Sequence, residues 1–265
     1  MPKPEWLNKK ISLGDCRRTR EMLGGLGLHT VCEEALCPNI GECFAAKQAT
    51  FLIMGAVCTR SCSFCAVEHG RADPPDADEP RRVSAGIRRL GLRHAVITSV
   101  TRDDLPDGGA GMFVRTIRQI RLDNPHTAIE VLIPDFRGDR DAVAAVVAAR
   151  PDIIAHNLET VPRLYLTARQ GAEYKRSLDV LAMVKQMAPA LFTKSGLMLG
   201  LGETEQEVCA VFRDLRQSGV DFLSLGQYLA PGRTHLPVAE YLHPERFLRY
   251  REQAVSLGFR RVISA

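Results

Sequence analysis

The chain has 265 residues, 45% hydrophobic and 25% charged, with 35 basic and 31 acidic side chains for a net charge of +4. That mild balance, with only 6% aromatics and no stacking motif among the arginines, argues against nucleic-acid binding. The longest apolar stretch, Phe51 to Cys58, is far too short to span a bilayer, and the Met-Pro-Lys-Pro-Glu-Trp start lacks an apolar export core, so a cytoplasmic chain with reduced cysteines is expected.

Residues 1–49 are frequent in Gly and Pro and poor in strand periodicity; they read as an extension that metal binding orders. It carries Cys32, Cys37 and Cys43 in C-x4-C-x5-C spacing. From residue 50 short β-branched runs alternate with amphipathic ones. Strands are predicted at Thr50–Val57, His94–Val100, Ala128–Pro134, Asp152–Asn157, Phe192–Leu199 and Val220–Gly226. Helices are predicted at Glu79–Leu90, Met112–Leu122, Arg140–Ala149, Tyr174–Met187, Glu203–Ser218 and Pro244–Leu257. Repeated right-handed βα units give an α/β fold, either an open doubly wound sheet or a partial (β/α)6 barrel. Polar clusters fall just after several strands, at Cys58–Cys65, Thr101–Gly111, Asn157–Glu159 and Gly200–Glu203, and in a barrel these converge at one mouth. The barrel is therefore preferred, over residues 50–227, with 228–265 as a C-terminal segment holding the last helix. The extension is expected to fold against that mouth.

Six of the eight cysteines fall in two triplets, and the second, Cys58, Cys62 and Cys65, has C-x3-C-x2-C spacing directly after a strand. Three thiolates on one short loop can hold an iron–sulfur cluster and leave one iron open to a small molecule. Zinc is the alternative, but it wants four ligands, often from paired C-x2-C units, and the second pair is missing. Three closely spaced thiols cannot all pair internally as disulfides. Cys16 and Cys209 stand alone and read as incidental or buried thiols.

A C-x3-C-x2-C loop after the first strand of a βα barrel resembles the radical S-adenosylmethionine enzymes, and Phe64 matches the aromatic they carry before the last cysteine. The upstream triplet makes the chain similar to the lipoyl synthase family in particular. So do the stretches Thr98–Gly109, Ile129–Gly138, His156–Arg163, Thr193–Glu203 and Leu225–Tyr228, and the likeness runs from about Val31 to the C-terminus. The resemblance implies two [4Fe-4S] clusters. The one on Cys58, Cys62 and Cys65 would bind S-adenosylmethionine; the one on Cys32, Cys37 and Cys43 would donate sulfur to C6 and C8 of a protein-bound octanoyl-lysine. It further implies an octanoylated lipoyl carrier, such as glycine cleavage H protein or a 2-oxoacid dehydrogenase E2 domain, and an electron donor such as flavodoxin or ferredoxin. An unactivated methylene has no acidic proton for a His or Glu base, so cofactor chemistry suits this substrate. Other members of the superfamily that use an auxiliary cluster to insert sulfur, and a non-catalytic zinc- or cluster-binding protein, are the rival readings.

By the same resemblance Phe64, Asp103, Asn157, Glu159 and Lys194 are expected among the cofactor-binding residues. All but Phe64 have a plainer alternative: a turn after the second strand for Asp103, with Asp104 and Asp107; a helix-capping turn before Pro162 for Asn157 and Glu159; and a solvated lysine for Lys194. Gly200, Gly202 and Glu203 either approach a ligand or start a helix. Arg81, Arg82, Arg88 and Arg89 are expected to steer an acidic carrier. In the family, the sequence corresponding to Val262–Ala265 is followed by a tail whose serine is the fourth ligand of the sulfur-donating cluster. Ser264 falls too early to match it, and that ligand is left unassigned.

Overall fold

The computed structural model describes residues 3–8, 13–37, 40–45 and 49–264. Its strands are β1 (His29–Thr30), β2 (Thr50–Ile53), β3 (Val57–Cys58), β4 (Glu68–His69), β5 (His94–Ser99), β6 (Ala128–Leu132), β7 (Ile153–Ala155), β8 (Phe192–Leu199), β9 (Phe222–Gln227) and β10 (Arg261–Ser264). Its α-helices are α1 (Leu13–Gly24), α2 (Val31–Glu34), α3 (Ile40–Ala45), α4 (Glu79–Leu90), α5 (Ala110–Asp123), α6 (Arg140–Ala148), α7 (Tyr165–Ala168), α8 (Tyr174–Met187), α9 (Glu205–Gln217) and α10 (Pro244–Ser256). The side chain of Cys16 lies outside the described residues.

Eight strands make one sheet in the order β1-β2-β5-β6-β7-β8-β9-β10, and β3 with β4 makes a separate parallel clip. Pairing is parallel from β2 through β10 and antiparallel only between β1 and β2. The edges β1 and β10 are not joined to each other, so the architecture is a partial barrel, as expected. All six predicted strands form its middle. The first stops at Ile53 rather than Val57, because Met54 and Gly55 take positive φ (68° and 83°) and the Met54 N–H turns aside to donate to the Glu79 carboxylate at 2.8 Å. Strands β1 and β10 fall outside the sequence expectation: one has two residues, the other four with a single buried side chain.

Two apolar clusters fill the space between sheet and helices. Phe51, Ile53, Ile87, Phe113, Ile117 and Val143 belong to the first; Leu199, Phe212, Leu215, Leu223, Tyr250 and Val262 to the second. Burying each such side chain stabilises the fold by roughly 2 kcal/mol. The second cluster ties α10 and β10 to α9, β8 and β9.

The β1 ladder sets where the extension goes. His29 lies opposite Leu52 and Thr30 opposite Phe51, so the chain leaves β1 beside Thr50, where the parallel strands begin. The loop with Cys58, Cys62 and Cys65 instead follows the far end of β2. The expectation that the extension's cysteines fold against the mouth is corrected: antiparallel pairing delivers Cys32 to the floor of the barrel, with the whole of β2, at least about 10 Å of strand, between the two triplets.

Candidate active site

At the mouth, the β3–β4 clip closes the base of the cysteine loop, and Gly70 N–H donates to Cys58 O at 2.9 Å. Neighbouring elements fasten the rest. Ser63 N–H donates to Ala168 O at 3.0 Å, its hydroxyl to Thr167 O at 2.8 Å, and Leu236 N–H to Ser63 O at 2.9 Å. The amides of Arg60 (3.4 Å) and Thr101 (3.3 Å) point at Cys58 Sγ and fix its position. Burial pushes the Cys62 thiol up to about 12, with Arg169 opposing and Cys65, Glu159 and Cys58 adding to the rise. Burial likewise raises Cys65, and Cys58 again adds to it. The three sulfurs therefore share one neighbourhood, and a cationic centre would convert them to thiolates. Among the described residues no three His, Cys, Asp or Glu side chains gather around a single-ion site. Thiolates of a cubane cluster bind different irons and need not meet at one point, so the donor set fits an iron–sulfur cluster.

Arg60, between two of these cysteines, is held by two aspartates. It donates to Asp103 at 2.7 and 3.0 Å and to Asp135 at 3.0 and 2.7 Å, while Arg176 adds a contact to Asp135 at 3.2 Å. The Asp135 side chain is fully buried, yet the Arg60 guanidinium more than offsets its desolvation and brings the carboxyl down to about 2. Asp103, expected to contact cofactor, thus has both oxygens engaged by Arg60. Asp107 accepts from Gly109 and Gly111 N–H, and Glu203 from Gly200 and Leu201 N–H, so both serve as turn caps. Arg60 and Asp135 were not singled out from sequence, where an arginine inside a cysteine loop carries no signal of its own.

Asn157 and Glu159 come together at the mouth. Glu159 has φ 66°, and its backbone bridges to β8 through Gly196 O (3.0 Å) and Met198 N–H (2.8 Å). Burial raises its carboxyl, while Arg169 and a hydrogen bond from Asn157 pull the other way. Gly196 is required here: a Cβ would lie 2.8 Å from Ser224 Oγ and 2.9 Å from Asn157 Oδ1. Arg169 is the cation common to Cys62, Glu159 and His156, held by Tyr165 OH (3.2 Å) and Ser177 Oγ (3.1 Å). Sequence reading passed over it because nothing marks one arginine after a short helix. Phe64 is half-buried within the loop.

His156 is fully buried, with Nδ1 2.8 Å from Ile133 O and Nε2 without a partner. Burial, aided by Arg169, pushes its pKa down from 6.5 to about 3. A depressed histidine contributes stability that is complete above the unfolded pKa and is lost as pH falls below it, because only the unfolded chain takes up the proton. Between about pH 7 and pH 5 the wild-type apoprotein should therefore lose about 2 kcal/mol more than His156→Gln in urea unfolding. Equal losses in the two proteins would refute this.

At the floor, a cavity of about 840 Å³ is lined by Cys32 and Cys43 together with the first residues of several strands, among them Thr50, His94, Phe192 and Arg261. Cys32 is 7% exposed, and burial raises its thiol to about 11; a backbone hydrogen bond from Thr50 opposes this and the Cys37 and Cys43 thiols add to it. This triplet too converges, as cluster ligands must. Lys194 lines the same cavity, 2.7 Å from Glu130, whose other oxygen is 3.2 Å from His94 Nε2. It is not placed with the mouth residues, where its expected role as a cofactor contact would put it. Cys209 donates to Gln253 at 3.2 Å, away from both triplets.

Residues 52–215 match the radical SAM superfamily. Over 99% of its length the chain is 59% identical to the lipoyl synthase of Geotalea uraniireducens, covering 92% of that protein, and 60% identical to that of Geobacter sulfurreducens, covering 86%. The chain belongs to the lipoyl synthase family. The lipoyl synthase of Caldanaerobacter subterraneus is 54% identical over the same share of the chain. Solved structures of methylornithine synthase (13% identity, TM-score 0.57, 97% of this chain and 83% of that one) and the hydrogenase maturase HydG (14%, 0.55, 99% and 73%) share the fold. Among the described residues no helix of this lipoyl synthase family member is long and apolar enough to cross a membrane.

Proposed function

We propose that the chain makes the lipoyl cofactor by inserting two sulfur atoms at C6 and C8 of an octanoyl-lysine on a carrier protein. The observation that carries this reading is the placement of two cysteine triplets at opposite ends of one barrel, in a chain 59% identical to a lipoyl synthase. When bound, S-adenosylmethionine and two [4Fe-4S] clusters supply a 5′-deoxyadenosyl radical for hydrogen abstraction and the sulfur that replaces those hydrogens.

The residues supply position and exclusion of water. Cys58, Cys62 and Cys65 would hold the upper cluster on a loop fixed by the β3–β4 clip, α7 and Leu236. Arg169, beside Cys62 and Glu159, is placed to receive the carboxylate of S-adenosylmethionine, and Asn157 and Glu159 to hydrogen-bond its polar groups. Cys32, Cys37 and Cys43 would hold the lower cluster. The acyl chain would lie in the barrel between the two ends, and its unactivated methylenes offer no acidic proton to a base. Glycine cleavage H protein or an E2 domain would carry it, flavodoxin or ferredoxin would deliver electrons, and the reduced cysteines suit the cytoplasm.

Mass spectrometry of an octanoyl-lysine peptide, incubated anaerobically with the reconstituted protein, reductant and S-adenosylmethionine, tests this. Replacement of two hydrogens by two sulfurs is expected. Cleavage of S-adenosylmethionine without any sulfur gain would overturn the proposal.

A further inference from the structure

We infer that Tyr228 is a positioning residue for the upper cluster: through the segment that follows it, its hydroxyl holds the turn between Cys62 and Cys65 against α7. This rests on the proposed function and adds to it the part of the C-terminal segment that keeps the S-adenosylmethionine site in shape.

Residues 228–243, all of them described, form neither helix nor strand. A connection of that length without regular structure is uncommon in a compact domain and calls for a use. Between Tyr228 and Leu242 none of its side chains is buried, so apolar packing does not fix its course. Polar tethers do. At the far end the Gln227 side chain donates to Glu240 O at 3.0 Å and accepts from Leu242 N–H at 2.9 Å. The N–H groups of Ala239 and Glu240 donate to Gly200 O at 2.8 and 3.3 Å, and a Cβ at Gly200 would collide with Glu240 O and Gln227 Nε2. Gly200, expected either to approach a ligand or to start a helix, is therefore where this strap is seated.

The middle of the strap is held at Leu236. Its carbonyl accepts from Tyr228 OH at 2.8 Å and its N–H donates to Ser63 O at 2.9 Å, so one residue relays the buried phenol to the cysteine loop. Tyr228 is 2% exposed, and burial pushes its phenol up to about 12, which keeps the hydroxyl a donor throughout the neutral range. On its other side Ser63 donates to Ala168 O and Thr167 O of α7. The turn next to Cys62 is thus clamped between the strap and the helix that leads into Arg169. That clamp sets Cys62 relative to the cation proposed to receive the S-adenosylmethionine carboxylate.

The test compares Tyr228→Phe with Tyr250→Phe in the reconstituted protein. Tyr250 is also 2% exposed, with its hydroxyl bonded by Arg246, and belongs to the second apolar cluster. Iron release to a chelator is followed anaerobically with and without S-adenosylmethionine; the fraction that S-adenosylmethionine protects belongs to the cluster that binds it. In Tyr228→Phe that fraction should leave about fivefold faster, the worth of one neutral hydrogen bond, while the other fraction is unchanged and KM for S-adenosylmethionine rises more than kcat falls. Tyr250→Phe should match wild type in each of these, although its urea midpoint also drops. Release at the wild-type rate from Tyr228→Phe, or equal acceleration in both variants, overturns the positioning role, as does a wild type with no protected fraction. Failure of the proposed function shows separately, as a wild type that protects its iron yet adds no sulfur to the octanoyl-lysine peptide.

Discussion

Cys62→Ala should abolish cleavage of S-adenosylmethionine, whereas Cys37→Ala should leave cleavage running and stop sulfur insertion. The two cysteines act at different ends of one barrel. Cys62 shares its neighbourhood with Cys58, Cys65, Glu159 and Arg169, so losing it removes one of three thiolates beside the groups proposed to grip S-adenosylmethionine. Cys37 shares its surroundings with Cys32 and Cys43 beneath the start of β2, at the other end of that strand from the mouth. Chromatography of 5′-deoxyadenosine and methionine reads the first activity, and mass spectrometry of the peptide reads the second. Iron and sulfide should fall from two clusters to one in each variant. A Cys37 variant that still forms lipoyl product would remove the donor role from the lower triplet.

Arg60→Ala should cost about 3 kcal/mol or more of stability, because it strips the main cation from a fully buried Asp135 and from Asp103 while only Arg176 stays with Asp135. The effect has a pH signature. Asp135 titrates near 2 in the folded protein against an ordinary 3.8, so its stabilising contribution is present above 3.8 and disappears as pH falls through about 2. That shift corresponds to about 2 kcal/mol. In Arg60→Ala the carboxyl should titrate higher, and acid unfolding should begin at a higher pH. Anaerobic urea and acid titrations of the apoprotein measure both. A loss under about 1 kcal/mol would mean that Arg176 alone satisfies the buried aspartate.

Much of the barrel was legible because its parallel strands are apolar runs of ordinary length separated by helical periodicity, and β8 was predicted with its observed bounds. What escaped depended on pairing rather than pattern. Two residues of β1 have no periodicity to read, yet their antiparallel register decides that Cys32 sits at the floor. The cysteine spacings were visible because cluster ligands must be close in sequence. Asp135 and Arg169 were not, because ion pairs and shared neighbourhoods between distant strand ends leave no local mark. Lys194 shows the converse: a residue in a suggestive motif lies near the start of its strand, at the floor rather than with the mouth residues it was grouped with.

The unequal anchoring of the two triplets bears on how the protein would survive its own reaction. The upper loop is pinned by a strand clip, by α7, by Leu236 and, through Arg60, by two aspartates, whereas among the described residues α2 meets β1 and β2 and α3 packs on α1. A centre that gives up its sulfide must be refurbished before the next round. The lower triplet lies at the opposite end of β2 from these anchors, so loss of its cluster leaves the upper loop's strand clip and ion pairs in place.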